Sequence, residues 1–331
     1  MYPFTYHRAD TLGDAMAAAD ADGAAVLAGG TELVNWIRLG VSRPSDVVDI
    51  NRLPDLSAIE LADDTVHIGA LARLNDVAGH ALVRDRFPVL TQAIHQAASA
   101  QLRNLATIGG NPLQMTRCPY FRSEAPTPCN KRRRGSGCAA RHGINDQHAI
   151  FGWTDDCVAV QPADPATALA AVDAVLVTES ARGGRRIPAR DLHVLPSQDP
   201  TAHHVLRPDE IVTRIELPGA ARRSAYVKVR ERASYEYAIV AAAVALEIDG
   251  TTIRGARIAL GSVAMRPWRL HRTEQLLIDS TIGSTEVEAA VAAGFDDARA
   301  LPHNAHKIPL ARNAVLRAIE RAAAGEPAMR P

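Results

Sequence analysis

The four cysteines of the chain lie within one stretch of sequence that carries almost no hydrophobic periodicity. They are Cys118, Cys129, Cys138 and Cys157. A loop much longer than about 12 to 15 residues is uncommon in a compact domain and is usually functional or disordered. Because apolar residues neither alternate nor recur at helical spacing here, we expect something other than a hydrophobic core to order the stretch. A metal centre held by four thiolates is the simplest such agent.

The spacing of the cysteines leaves three chemistries open. No two cysteines are separated by only two residues, so the paired C-x-x-C pattern typical of structural zinc is absent. Disulfides require an oxidising compartment. A [4Fe–4S] cluster tolerates irregular spacing when a loop wraps around it, and the basic residues 131–134 and Arg141 would stabilise an anionic thiolate cluster. The sequence favours the cluster over zinc and zinc over disulfides, without deciding between them.

Composition and charge exclude several classes of protein. The chain has 331 residues, of which 47% are hydrophobic and 22% are charged, as is typical of a globular protein with two or three domains. Its 37 basic residues balance 37 acidic ones, so no global field favours nucleic acid. No apolar run reaches the roughly 18 residues of a membrane span, and no signal peptide is evident. We expect a cytoplasmic protein; the alternative is a periplasmic one, exported with a signal-bearing partner.

Two glycine pairs suggest a phosphate-binding site. The first, Gly29-Gly30, follows a predicted strand at 24–27 and precedes a predicted helix at 32–39; the second, Gly109-Gly110, lies in the segment 107–111. Backbone N–H groups in a turn that glycine permits form a concave set of donors for an anion. The Rossmann spacing G-x-G-x-x-G is absent, so a conventional dinucleotide fold is disfavoured. Each pair taken singly could be an ordinary turn, but together they could hold a diphosphate between two loops.

The remaining pattern predicts an α+β protein. Alanine-rich helices are predicted at about 11–22, after the candidate cap Asp10, and at 165–172, with a further helix at 89–100. Strands are predicted at 47–50, 65–68 and 174–178, with a hairpin turn at Gly183-Gly184. Near the C-terminus we expect three antiparallel strands at 226–229, 239–248 and 253–260, followed by helices at 285–298 and 310–324. The pair His203-His204 is predicted to lie in a surface loop.

Several of these motifs resemble one known family. The segments Ala28-Gly29-Gly30-Thr31-Glu32-Leu33 and Thr107-Ile108-Gly109-Gly110-Asn111 resemble the two flavin-binding loops of the FAD subunit of the xanthine dehydrogenase family. The insertion, including Arg117-Cys118-Pro119-Tyr120-Phe121, resembles the [4Fe–4S]-containing branch. That branch includes the flavin subunit of bacterial molybdenum aldehyde oxidoreductases and, more distantly, that of hydroxybenzoyl-CoA reductase. The likeness covers nearly the whole chain.

The resemblance implies a fold and a set of site residues. It implies a two-subdomain FAD-binding domain of the PCMH, or vanillyl-alcohol-oxidase-like, type at 1–221, with a [4Fe–4S] insertion at about 112–160. A C-terminal α+β domain at 222–331 would contain the three-stranded antiparallel sheet with helices. The implied FAD contacts are Leu27, Ala28, Gly29, Gly30, Thr31, Glu32, Leu33, Thr107, Ile108, Gly110, Asn111, Asp164 and Lys228. The implied cluster ligands are the four cysteines. Without the resemblance, Asp164 reads as a helix cap and Lys228 as an ordinary strand-end lysine.

The resemblance also implies a function. The chain would be an electron-transfer subunit of a molybdenum-containing aldehyde or N-heterocycle dehydrogenase or oxidase. It would assemble with a molybdopterin-binding large subunit and a [2Fe–2S] small subunit, as a heterotrimer or its dimer. We find no catalytic constellation for substrate oxidation in this chain and therefore expect that chemistry in a partner. The alternatives are a stand-alone flavin oxidase and a zinc-stabilised binding scaffold.

Overall fold

The computed structural model describes residues 2–325. In these residues twelve strands form three separate sheets, and eleven α-helices pack around them. The strands are β1 (Thr5–Arg8), β2 (Ala24–Leu27), β3 (Asp46–Asp49), β4 (Ile59–Ala62), β5 (Thr65–Gly69), β6 (Val175–Glu179), β7 (Arg185–Pro188), β8 (Ile211–Pro218), β9 (Ser224–Val229), β10 (Val240–Asp249), β11 (Thr252–Gly261) and β12 (Trp268–Arg269). The helices are α1 (Leu12–Ala19), α2 (Leu33–Arg38), α3 (Leu74–Gly79), α4 (Ala81–Arg86), α5 (Pro88–Gln96), α6 (Ala100–Arg103), α7 (Pro119–Arg122), α8 (Asp164–Ala171), α9 (His271–Leu276), α10 (Thr285–Ala293) and α11 (Lys307–Ala324).

The first sheet positions the first glycine loop. Its three strands run parallel in the order β1-β3-β2, and β2 leads through Ala28–Glu32 into α2. The predicted succession of strand, glycine turn and helix is therefore confirmed. Helix α1 connects β1 to β2 along the chain and begins one residue later than predicted. Its N-cap is Thr11, whose hydroxyl accepts a hydrogen bond from the Asp14 N–H at 3.1 Å, so the predicted cap Asp10 is wrong.

The second sheet has five strands in the order β4-β5-β8-β6-β7. The hairpin predicted at Gly183-Gly184 is confirmed by the antiparallel pairing of β6 with β7. Strand β8, which the sequence analysis did not predict, lies at the centre of the sheet and pairs with both β5 and β6. Helices α3, α5 and α8 pack against one another beside this sheet, and residues such as Ile68, Leu169 and Ile215 are fully buried in the shared core.

The third sheet forms the C-terminal region. Its order is β12-β11-β10-β9 and all its pairings are antiparallel, which confirms the predicted sheet and adds the short strand β12. Helix α11 packs across β9 and β10, so that Val315 and Ile319 are buried together with Val244 and Ile258. Within residues 2–325 no helix is long and apolar enough to cross a bilayer. The cytoplasmic location stays a prediction.

The cysteine insertion packs against the C-terminal region. Four of its residues form a small buried cluster with Leu301 of the C-terminal region; they are Ala140, Ala149, Trp153 and Val158. The Nδ2 of Asn304 donates to the carbonyl oxygens of His148 and Ala149 at 3.0 and 3.1 Å. The fully buried Lys307 donates through Nζ to the His148 carbonyl at 2.8 Å. The expectation that no hydrophobic core orders this stretch is therefore wrong, because its apolar contacts come from residues distant in sequence.

Candidate functional site

The two glycine loops lie directly against each other. A Cβ placed on Gly29 would be 2.0 Å from the carbonyl oxygen of Leu105, so only glycine allows this approach. A polar bridge reinforces the contact. Asn51 donates through Nδ2 to the Ala28 carbonyl at 2.7 Å, and Arg73 bonds to both Asn51 Oδ1 at 2.9 Å and the Leu105 carbonyl at 2.6 Å. The two loops are therefore in direct contact although about 80 residues separate them in sequence.

A cavity of about 430 Å³ opens between the loops. We call it the loop cavity. Its lining includes nine of the residues predicted to contact FAD, which are Ala28, Gly29, Gly30, Thr31, Glu32, Leu33, Thr107, Gly110 and Asn111. The side chain of Leu27 packs beneath α2 and that of Ile108 is fully buried, so neither lines the cavity. The predicted FAD contacts thus converge on one concave surface, while four of them lie outside its lining: Leu27, Ile108, Asp164 and Lys228.

Polar groups in the loop cavity have capacity for a ligand. The hydrogen bonds of the described residues leave the backbone N–H groups of Gly30, Thr31 and Glu32 without an acceptor, as suits an anion. The side-chain oxygen of Asn111 is buried and has no partner in the described part of the chain. A buried acceptor without a donor is costly, and a ligand hydroxyl would satisfy it. These features fit the diphosphate and polyol chain of FAD.

Asp164 and Lys228 bond to each other instead of pointing into the loop cavity. Asp164, at the start of α8, accepts from the Tyr226 hydroxyl at 2.6 Å and from Lys228 Nζ at 2.8 Å. Burial raises the pKa of Asp164, although Lys228 and Tyr226 oppose the rise. Burial and the neighbouring carboxylate raise the pKa of Tyr226 well above its ordinary value. Lys228 is therefore the ion-pair partner of Asp164, and its predicted contact with FAD stays a prediction.

All four cysteines line a second, smaller cavity, which we call the thiol cavity. The cysteines are free thiols, and Cys129 faces Cys138 across a short antiparallel bridge. Asn130 and Lys131 also line this cavity. The prediction that the cysteines act as one set is thus supported by their convergence on a single cavity.

Burial favours the neutral form of the thiols. Burial raises the pKa of Cys118 to about 12 and that of Cys157 to about 11. Neighbouring backbone N–H groups oppose this effect at Cys118, and Lys131 opposes it at Cys157. The thiolates needed for ligation would therefore form only when a metal compensates for their burial.

Of the basic residues predicted near the cysteines, Lys131 lines the thiol cavity. It is mostly buried, donates to the Ala202 carbonyl at 2.7 Å and interacts electrostatically with three of the thiols. Arg134 instead pairs with Asp199 at 2.9 Å and Arg141 with Asp155 at 2.8 Å. These two arginines therefore have carboxylate partners of their own, and the expectation that the basic run stabilises a cluster stays a prediction.

One histidine contacts a cysteine. The Nε2 of His148 lies 3.2 Å from the Cys118 sulfur, and burial lowers the pKa of His148 to about 4, so the ring is neutral at pH 7. Nothing in the sequence spacing marked this contact. Within residues 2–325 no group of three or more His, Cys, Asp or Glu side chains is arranged to hold a metal ion. The cluster consequently stays a proposal.

Two further features of the site have no signature in the sequence. Glu32, expected only as part of the first flavin loop, forms ion pairs with Arg117 and Arg122 of the insertion. His204 lines the loop cavity and His203 packs its ring 5.3 Å from that of Phe121, so the pair lies in a loop as predicted but is half-buried and not fully at the surface. Burial lowers the pKa of both histidines.

Comparison with known proteins agrees with this architecture. Residues 2–220 match the family model described as the FAD binding domain in molybdopterin dehydrogenase, and residues 225–322 match the CO dehydrogenase flavoprotein C-terminal domain. The aldehyde oxidoreductase FAD-binding subunit PaoB of Escherichia coli is 39% identical over 94% of this chain and 96% of its own length. The glyceraldehyde dehydrogenase medium chain of Sulfolobus acidocaldarius is 28% identical over 87% and 86%, respectively.

A solved structure shows the same fold. A chain of the carbon monoxide dehydrogenase from Hydrogenophaga pseudoflava superposes with a TM-score of 0.76 at 28% identity, covering 98% of this chain and 99% of its own. The fold and the paired glycine loops thus define an FAD-binding oxidoreductase subunit. The chain belongs to the family of FAD-binding subunits of molybdenum hydroxylases, the aldehyde, CO and xanthine dehydrogenase type.

Proposed function

We propose that the chain is the FAD- and [4Fe–4S]-binding electron-transfer subunit of a molybdenum-containing aldehyde or N-heterocycle dehydrogenase. Substrate oxidation would occur in a molybdopterin-binding large subunit, and a [2Fe–2S] small subunit would deliver the electrons. The name of the 39% identical relative, an aldehyde oxidoreductase subunit, favours an aldehyde as substrate. When bound, the flavin exchanges two electrons and the cluster one at a time.

The observation that carries the proposal is that four free cysteines, one of them buried and three partly buried, line one small cavity beside the loop cavity. Met115 lines the loop cavity, while Thr116 and Cys118 line the thiol cavity. Since extended chain spans at most about 3.6 Å per residue, the Cα atoms of Met115 and Cys118 are within about 11 Å. A cluster in the thiol cavity would therefore lie close to a ligand in the loop cavity.

The residues of this chain have distinct roles in the proposal. The backbone of the first loop, Leu27–Leu33, holds the diphosphate, and the second loop, through Thr107, Ile108, Gly110 and Asn111, closes the other wall. Asp164 and Lys228 form a buried ion pair that fixes α8 relative to β9. Cys118, Cys129, Cys138 and Cys157 ligate the cluster, with Lys131 supplying a compensating charge.

Anaerobic purification followed by iron, sulfide, zinc and FAD analysis tests the proposal. We expect FAD together with about four iron and four sulfide per chain, and a low-temperature EPR signal on reduction, as a [4Fe–4S] centre supplies. Zinc in place of iron, or cysteines found paired in disulfides, would overturn the cluster assignment. Co-expression with the genes of candidate partner subunits tests the assembly. Substrate turnover by the isolated chain would instead favour a stand-alone flavin oxidase.

A further inference from the structure

The carboxylate of Glu32 links the two cavities. Glu32 lines the loop cavity, yet its two oxygens accept from residues of the insertion. Arg117 Nη1 donates to Oε1 at 2.9 Å, and Arg122 Nη2 donates to Oε2 at 2.9 Å. Trp36 of α2 adds a hydrogen bond to Oε2 at 2.9 Å. The first glycine loop is therefore tied to both sides of Cys118.

The two arginines are themselves fixed to the cysteine segment. Arg122 donates through Nε to the Thr116 carbonyl at 3.2 Å, and the Thr116 hydroxyl accepts from the Cys118 N–H at 3.2 Å. The guanidinium of Arg117 stacks 4.6 Å from the ring centre of Tyr237. A displacement of Cys118 would thus be transmitted to Glu32 through short polar contacts.

These contacts are partly shielded from water. The side chains of Glu32, Arg117 and Arg122 are 21%, 33% and 13% exposed. Burial and the positive charge of Arg117 lower the pKa of Arg122, and Glu32 counteracts both effects. Without the carboxylate, two guanidinium groups would face each other with no counter-charge between them.

We propose that Glu32 is a positioning residue that couples the two cofactor sites, so that occupancy of either site strengthens binding at the other. The coupling rests on the proposed function, because it requires both FAD and the cluster. Each cofactor orders its own side of the Glu32 contact, so the second one to bind meets a loop already held in place. Linkage requires the effect to be equal in both directions.

A thermodynamic cycle tests this coupling. FAD dissociation constants would be measured on deflavinated protein for the wild type, Cys138→Ala, Glu32→Gln and the double variant. The Cys138→Ala substitution removes one proposed cluster ligand, and Cys138 does not contact Glu32 or its two arginine partners. We expect loss of the cluster to weaken FAD binding about tenfold when Glu32 is present, and by a factor near one in the Glu32→Gln background.

A matched control separates coupling from general loosening of the insertion. Asp199→Asn breaks the ion pair with Arg134, which also anchors the insertion but does not contact the first glycine loop. In this background the roughly tenfold effect of Cys138→Ala should persist. An equal effect of Cys138→Ala with and without Glu32, or its disappearance in Asp199→Asn, would overturn the coupling.

A reverse measurement covers the case in which Cys138→Ala does not fold. Iron loss to a chelator would be followed in FAD-loaded and FAD-free wild type and Glu32→Gln. FAD should slow iron loss in the wild type and leave Glu32→Gln unaffected; equal protection in both proteins would refute the coupling alone. A wild-type protein that contains FAD but no iron would overturn the proposed cluster as well, so the two failures are distinguishable.

Discussion

The contact between the glycine loops makes Gly29→Ala a direct test of the FAD site. The added methyl group would lie 2.0 Å from the Leu105 carbonyl oxygen, 2.7 Å from its carbon and 3.2 Å from Ala106 Cα. All three atoms are backbone, so no side chain can rotate away. Reaching an ordinary contact of 3.4 Å requires one loop to move by about 1.4 Å.

Such overpacking costs about 1–3 kcal/mol. Because both displaced segments border the loop cavity, we expect this cost to appear mainly as a loss of FAD affinity of about 10- to 100-fold. The assay is titration of deflavinated protein with FAD, followed by quenching of flavin fluorescence. Thermal unfolding of the FAD-free variant reports the part of the cost that falls on stability.

Gly79→Ala is the matched control. Gly79 ends α3, and a Cβ there would meet nothing within 4 Å. Since alanine has the better helix propensity, this variant should bind FAD normally and be slightly more stable. A Gly29→Ala protein that binds FAD within twofold of the wild type would refute the loop contact and with it the assigned cavity.

Three further predictions address other parts of the molecule. Cys138→Ala should lose iron and sulfide and become protease-sensitive near the substitution, whereas the fluorescence of Trp153 stays native because C-terminal contacts hold it; a native iron content would contradict the ligand set. Burial opposes ionisation of Glu210, but hydrogen bonds from its arginine and threonine partners lower its pKa to about 2 from 4.5. That carboxylate stabilises the fold above about pH 4.5, and the stabilisation is lost as the pH falls towards 2. Glu210→Gln should therefore reduce the free energy of unfolding at pH 7 by about 2 kcal/mol. Urea titrations should also show a weaker dependence of this free energy on pH between about 4.5 and 2. Asp164→Asn should destabilise the protein by about 3 kcal/mol, because Lys228 would stay buried without its counter-charge, and Lys228→Met should restore part of the loss; additive effects in the double variant would contradict the pair.

Short-range sequence patterns correctly predicted the elements whose formation depends on neighbouring residues. The strand–glycine–helix unit around Gly29-Gly30 and the antiparallel strands β9 to β11 follow from apolar runs bounded by turn residues. Strand β8 escaped because its place at the centre of a sheet depends on pairing with β5 and β6, which lie far away in the sequence. The residues of β8 do not indicate which strands it pairs with.

The same distinction applies to the site. Glycine pairs and cysteines could be recognised by residue type, but the ion pair of Glu32 with Arg122 joins residues 90 positions apart and has no sequence signature. The burial of His203 and His204 likewise arises from packing against distant segments. Ion pairs and ring contacts between residues distant in sequence are therefore the part of the site that sequence patterns do not predict.

The position of the insertion bears on whether the cluster would only order its loop or also carry electrons. The insertion has an apolar contact with Leu301 and polar contacts with Asn304 and Lys307, so residues of the C-terminal region hold its C-terminal half in place. A purely structural cluster would add little there. The thiols instead converge where the chain passes from Met115 to Cys118, between the thiol cavity and the loop cavity. A cluster bound there, as proposed, would lie beside the proposed flavin site, which is the arrangement that a relay role requires.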